Sequence, residues 1–287
     1  MSEGKVVIIE PDPQIVAMLL APFTAAGFEV EAASDGASGL ALCRRMIPQA
    51  VLVDTDLPDM EGAAVARQLR ATPRTRHVHL VLLGRSALRE QRIAALELGA
   101  NDFIAIPLDP DEVTLRVRNG LRRAASENLT DPVTGLPGSG LIRARLRELL
   151  QEKDWLLLSV TIQHLEPFEG LHGFLAAQEV LRSAARALNE TVERHGRADD
   201  FLGYGGEGRF LIVTGTEGGE ALVADLTPRL EAAIRAHHTF QERERGYLVL
   251  TQAGEERREP LLSVEVHQVR PTDGPFYDIR SLTEALG

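Results

Sequence analysis

Short apolar runs alternate with stretches of helical periodicity through the first 125 residues. The runs at 5–9 (KVVII), 51–53 (VLV), 80–83 (LVLL) and 103–106 (FIAI) are unbroken by polar residues, as strands buried on both faces should be. A weaker run at 29–33 adds a fifth strand. Between them, segments 14–26, 36–46, 59–71, 87–98 and 109–123 carry apolar positions at helical spacing, and Pro110 after Asp109 suits a helix start. Five β and five α in alternation predict an α/β domain with a doubly wound, five-stranded parallel sheet of the flavodoxin-like kind. Asn119-Gly120 is expected to interrupt the last helix, with 121–127 carrying it onward as a connector.

The pattern then changes. Segment 128–140 (NLTDPVTGLPGSG) is rich in Pro, Gly, Thr and Asp and reads as a boundary loop, which gives a first domain over 1–125, a linker over 126–137 and a second domain over 138–287. Helices are expected at 141–150, 174–195 and 219–236, and strands at 155–162, 247–251 and 261–269. Segments 201–204 and 209–214 read as two strands joined through Gly205-Gly206-Glu207-Gly208, and a short helix closes the chain. Antiparallel strands mixed with helices predict an α+β domain with a central, mostly antiparallel sheet covered by helices.

Charge narrows the range of functions. The 287 residues include 42 acidic and 31 basic ones, a formal charge of −11, of which 16 acidic and 14 basic lie before residue 126. Neither half is a basic module, so DNA binding through phosphate neutralisation is not expected. Cys43 is the single cysteine, which leaves no intrachain disulfide and no cysteine-based zinc site. The eight histidines show no ligand spacing: His237-His238 are adjacent and should face apart, and His164 and His172 are not four apart. No apolar run approaches 18 residues and the first residues lack a signal-peptide build, so no membrane partner and a cytoplasmic setting are expected.

Acidic residues fall at the carboxyl ends of the predicted parallel strands, where open α/β sheets place their sites. Glu10 and Asp12 follow the first strand, and Asp54 and Asp56 the third. Converging carboxylates repel one another unless a cation joins them, which suggests a magnesium-type oxygen site formed by Glu10, Asp54 and Asp56. The other reading is that these residues only cap the following helices.

VVIIEPDP, VLVDTDLPDMEG and ALELGANDFIAIPL together resemble the response-regulator receiver domain across the whole first 125 residues. The resemblance implies that Asp54 is the phospho-acceptor, that Asp56 supplies a backbone carbonyl to a metal, and that Ile106-Pro107 is a cis peptide. It also implies a histidine kinase or another protein as partner, and pairing of two copies through the fourth and fifth helices. Three positions depart from the family. Pro11 stands for the second acidic residue after the first strand, Gly84 for the hydroxyl residue closing the fourth strand (with Ser86 two positions on), and Ile106 for the lysine. Phosphoryl transfer needs its charge met by metal and fixed donors. Each charge-assisted hydrogen bond is worth roughly 1.5–3 kcal/mol, so losing two or three is expected to weaken phosphorylation and its switching by several orders of magnitude.

The second half resembles the diguanylate cyclase (GGDEF) domain, a nucleotidyl-cyclase-like fold, through DPVTGLPG at 131–138, the stretch from Val160 to EVL at 179–181, and YGGEG at 204–208. GYGGEG also satisfies G-x-G-x-x-G, but the strand-like RFLIV after it excludes a dinucleotide fingerprint. The resemblance places a metal-binding carboxylate of the first strand at Thr161 and the hairpin's first acidic residue at Glu207. It places guanine contacts at Glu169 and Gln178, with Gly205 and Gly206 beside the nucleotide, and an inhibitory R-x-x-D at Arg197 and Asp200. Thr161 is a poor ligand for a hard dication, and one carboxylate does not hold two magnesium ions. The resulting expectation is a two-component signalling protein with a degenerate receiver and an inactive cyclase domain that works by protein contact. The two alternatives are a GTP or cyclic di-GMP sensor and an active cyclase controlled by Asp54.

Overall fold

The computed structural model describes residues 4–85, 89–127, 129–197, 199–252 and 255–286. It divides into two compact units, Met1–Gly135 and Leu136–Gly287. In the first, β1 (Gly4–Ile9), β2 (Phe28–Ala33), β3 (Ala50–Asp54), β4 (His79–Gly84) and β5 (Asp102–Ala105) form one parallel sheet in the order β2-β1-β3-β4-β5. The helices between them are α1 (Pro13–Ala25), α2 (Gly36–Met46), α3 (Gly62–Ala71), α4 (Arg89–Glu97) and α5 (Pro110–Ser126).

Alternate strand residues supply the two cores, as the two-residue side-chain period of a strand requires. Val7, Ile9, Val51, Val53 and Leu82 pack with Leu40, Val65, Leu69 and Ala95 from α2, α3 and α4. Val6, Ile8, Leu52 and Leu83 pack with Leu19 and Phe23 of α1 and Val113 and Val117 of α5. Continuous apolar runs are therefore what this sheet needs. The expected start of α4 at 87–88 lies outside the described residues.

One expectation for this unit is corrected. Asn119-Gly120 does not interrupt α5, which runs unbroken to Ser126. Gly120 is there because the His79 imidazole lies flush on the helix backbone: a Cβ at 120 would come 2.1 Å from His79 Cε1. Within the stretch expected as a linker, 126–137, residues up to Gly135 group with the first unit. There the Asp131 carboxylate accepts from the backbone N–H groups of Val133 and Thr134, and the left-handed Gly135 (φ 73°) sits against the Gln49 amide.

The second unit holds a four-stranded antiparallel sheet in the order β11-β6-β8-β7, built from β6 (Leu156–Gln163), β7 (Phe201–Gly206), β8 (Arg209–Thr214) and β11 (Ser263–Val269). One face packs Leu157, Phe201, Leu211 and Val213 with Ile142 and Leu146 of α6 (Ser139–Leu149) and Leu282 of α11 (Ile279–Glu284). On the other face, Leu156 meets the first residue of α9 (Gly219–Arg235), which packs along α8 (Phe174–His195). The apolar stripe of α8 is buried at Val180, Leu181, Ala184, Leu188 and Val192, with Gly196 ending the helix.

Among the described residues, α7 (Leu165–His172), α10 (Phe240–Arg245) and β10 (Glu255–Pro260), which pairs with β9 (Tyr247–Gln252), were not expected. Pro167 and Gly170 disguise α7, yet a proline in the first helical turn displaces no hydrogen bond. The strand expected over 261–269 starts at Ser263, because 261–262 form the connection from β10.

Gly120→Ala should destabilise the first unit by about 1–3 kcal/mol in urea denaturation of the full chain, since overpacking forces the His79 ring or α5 to move. Burial also pushes His79 down to about 4, helped by the Arg123 charge. The unfolded chain takes this proton below its ordinary value near 6.5 and the folded chain does not until about 4, so the stabilisation is complete above 6.5 and is lost as pH falls through that window. The stability advantage of wild type over His79→Gln should shrink by on the order of 2 kcal/mol between pH 7 and pH 4.5.

Candidate functional site

The carboxyl ends of β1 and β3 deliver two acidic side chains into one crevice. Glu10 follows β1 and is 1% exposed, and Asp54 ends β3 and is fully buried. Glu10 Oε1 accepts from the Asp12 backbone N–H at 2.9 Å, and Asp54 Oδ1 from that of Asp56 at 2.7 Å. Glu10 Oε2 and Asp54 Oδ2 are buried and meet no donor among the described residues. The start of α3 presses on Asp54 from behind: a Cβ at Gly62 would lie 2.2 Å from the Asp54 carbonyl oxygen.

Burial, and after it the neighbouring Asp54, pushes the Glu10 carboxyl up to about 7. The two carboxyl groups are close enough to share a hydrogen bond, which they can make only when one is protonated. A hard cation does the same work. Buried carboxylate oxygens with no donor among the described residues fit a divalent ion such as Mg²⁺, which would supply positive charge beside Asp54. Asp12 and Asp56 play lesser parts. Asp12 caps α1 through the Gln14 N–H, as the capping reading expects, and the Asp56 side chain is exposed.

The departures from the expected pattern have visible consequences. At Gly84 the Phe103 ring fills the space of a side chain, with its Cζ 2.5 Å from where a Cβ would be. Ser86 lies outside the described residues. Ile106-Pro107 is cis as expected, and Ile106 joins the apolar cluster beside α1 and α5 and offers no charge. Arg85, which the sequence did not single out, is the cation whose charge reaches Glu10. It lines a cleft of about 290 Å³ with Thr55, Asp56 and Glu61.

A family model described as response regulator receiver domain matches residues 6–118. Response regulator PleD of Caulobacter vibrioides is 36% identical over 116 residues, covering 40% of this chain and 26% of that protein. The DNA-binding dual master transcriptional regulator RpaA of Synechocystis is 30% identical over 190 residues, covering 65% of this chain and 76% of that protein. The chain belongs to the response-regulator receiver family. It spans 26% of PleD and 54% of the probable transcriptional regulator ycf27 of Porphyra purpurea, which is 33% identical. Among solved structures, a putative response regulator from Chloroflexus aurantiacus is 30% identical with a TM-score of 0.41, over 42% of this chain and 100% of that one.

The receiver unit is followed by a second candidate region at the β7–β8 hairpin. Glu207 (φ 52°) and Gly208 (φ 75°) form its two-residue turn, the doubly left-handed type that matches strand twist, and Glu207 is exposed at the tip. Gly205 and Gly206 precede it at a β-bulge, and Tyr204 Oη accepts from the Gly208 N–H. Thr161 on β6 lies in register with Arg209 on one side and Glu265 on the other. Glu169 is exposed on α7, and Gln178 is half-buried in the second turn of α8.

The structure does not pair Arg197 with Asp200 through their side chains. Asp200 is buried and accepts from the Arg197 backbone N–H, while the Arg197 guanidinium lies on Gly215 and pairs with Asp154 and Glu217. The expectation that the histidines do not gather is also corrected. His172 and His238 meet at Glu242, although His237 does turn away, to Ser183. No helix among the described residues is long and apolar enough to cross a membrane.

Glu10→Gln should gain stability relative to wild type as pH rises from 5 to 8, by on the order of 1–3 kcal/mol in urea denaturation. The wild-type carboxyl keeps a proton in the folded state up to about 7, so its contribution is complete below 4.5 and fades above it. Saturating Mg²⁺ should reverse the order at pH 8, because it stabilises the ionised pair that the variant lacks.

Proposed function

We propose that this is a two-component-type regulator whose receiver transfers phosphoryl groups poorly and whose second unit is a degenerate diguanylate cyclase domain without catalytic activity. Its output is contact with a protein partner, and the receiver takes its input from a histidine kinase or another protein. The register of Thr161 with Arg209 carries this reading. Residues directly opposite on neighbouring strands have Cβ atoms about 4.5–5.5 Å apart. Arg209 therefore leaves the sheet on the same face as the threonine, so a cationic side chain starts beside the position where the cyclase resemblance calls for a carboxylate and two dications. Like charge disfavours metal entry there, and a threonine hydroxyl does not compensate.

Other groups do not refill the site. Glu265, the other neighbour of Thr161, is engaged with Gln163 and His267, and Glu207 is a lone carboxylate on an exposed turn. In the receiver, Arg85 is the cation at hand, and Pro11, Gly84 and Ile106 add neither charge nor hydroxyl. The acidic balance of both halves argues against DNA as the partner.

Incubation of the full chain with GTP and Mg²⁺ or Mn²⁺, with and without acetyl phosphate, should yield no cyclic dinucleotide, and mass spectrometry should find Asp54 modified only in trace. Dinucleotide formation under any of these conditions would overturn the cyclase part, and ready modification of Asp54 the receiver part. Calorimetry with GTP and cyclic di-GMP should show no heat up to high micromolar concentration; saturable binding would instead favour a nucleotide sensor.

A further inference from the structure

The second unit buries the carboxylate of Glu242 away from the hairpin. His172 closes α7, His238 sits in the turn after α9, and Glu242 belongs to α10. His172 Nε2 is 3.0 Å from Glu242 Oε1, and His238 Nδ1 is 3.6 Å from Oε2. One ligand-capable atom of each lies within 4.8 Å of the others. The side chains of His238 and Glu242 are 1% and 6% exposed, and neither His172 Nε2 nor His238 Nδ1 completes a hydrogen bond.

The surroundings hold these groups in place. The buried Phe168 ring stacks on His172 at 4.4 Å and meets His238 edge-on at 5.2 Å. The Thr239 backbone N–H donates to Glu242 Oε2 at 2.8 Å within a capping box, which leaves Oε1 toward His172. A carboxylate oriented by an outer hydrogen bond and two ring nitrogens converging on it have the form of a metal centre with its supporting shell.

We propose that His172, His238 and Glu242 form a binding site for a borderline divalent transition ion of the zinc type. Two imidazoles and one carboxylate suit zinc better than magnesium, and three protein ligands leave one position for water. Zinc bonds of about 2.0–2.1 Å put tetrahedral ligand atoms roughly 3.4 Å apart, so the rings close on the ion by small rotations. Such an ion ties α7 to α10.

Binding carries one specific cost. The Leu262 backbone N–H donates to His238 Nε2 at 3.1 Å, which in the metal-free protein places the ring proton on Nδ1. Ligation through Nδ1 moves that proton to Nε2, and His172 ligates through Nε2. Leu262 then loses its acceptor. Ion binding is thereby coupled to movement of the 261–262 connection between β10 and β11.

The test uses tag-free, full-length protein stripped with a chelator. Zinc is titrated against a chromophoric competitor, and Co²⁺ is substituted as a spectroscopic probe. Wild type should bind one equivalent, with affinity lowered at least about 100-fold in His172→Gln and Glu242→Gln. The half-open His172 position keeps the first variant folded, which far-UV circular dichroism checks. Co²⁺ should give the intense visible bands of a tetrahedral site, and zinc should speed hydrogen exchange at the Leu262 amide. Absence of binding by wild type, or binding undiminished in both variants, would overturn the proposal. So would a pale octahedral Co²⁺ spectrum or an unchanged Leu262 amide.

Discussion

A carboxylate taken out of water must be met by a cation, a proton or enough donors, and the pockets of this protein differ in which of these they receive. At the end of the parallel sheet, Glu10 and Asp54 each accept one backbone N–H and leave one buried oxygen without a donor among the described residues. In the second unit, Glu242 is answered by a capping N–H and two imidazoles. Beside the β7–β8 hairpin the order is inverted. There a cation, Arg209, flanks a residue with no charge at all, and the carboxylate Glu207 stands in solvent.

Backbone geometry explains why these groups lie where they do. A doubly wound parallel sheet brings its strand ends to one rim, so residues 44 positions apart, Glu10 and Asp54, share a crevice without any local sequence signal joining them. The antiparallel pairing of β6 with β8 aligns Thr161 with Arg209 through strand register alone. A one-residue slip of β8 would turn Arg209 to the opposite face from Thr161. The apolar residues that fix this register, among them Leu157, Leu211 and Val213, thereby also fix the charge environment of the rim.

Much of this was legible in the chain. Continuous apolar runs marked β1, β3, β4 and β5, while the more exposed β2 left only a weaker run, and the stripe from Val180 to Val192 gave α8 its full extent. The family of the first 125 residues was equally visible in the segments around Glu10, Asp54 and Pro107. What escaped depended on tertiary neighbours. Gly120 looked like a break because nothing local announces the His79 ring against it, and the cluster at Glu242 joins residues up to 70 positions apart. The short helix α10 had one local sign, the Thr239-x-x-Glu242 capping box, which was there to be read. Arg85 became visible only as a charge reaching Glu10 across the crevice.

Anomalous diffraction from crystals grown with Mn²⁺ tests most directly whether charge separates the two rims. A manganese peak at Glu10 and Asp54, with none beside Thr161, is the expected result. A pair of ordered manganese ions between Thr161 and Glu207 would contradict it.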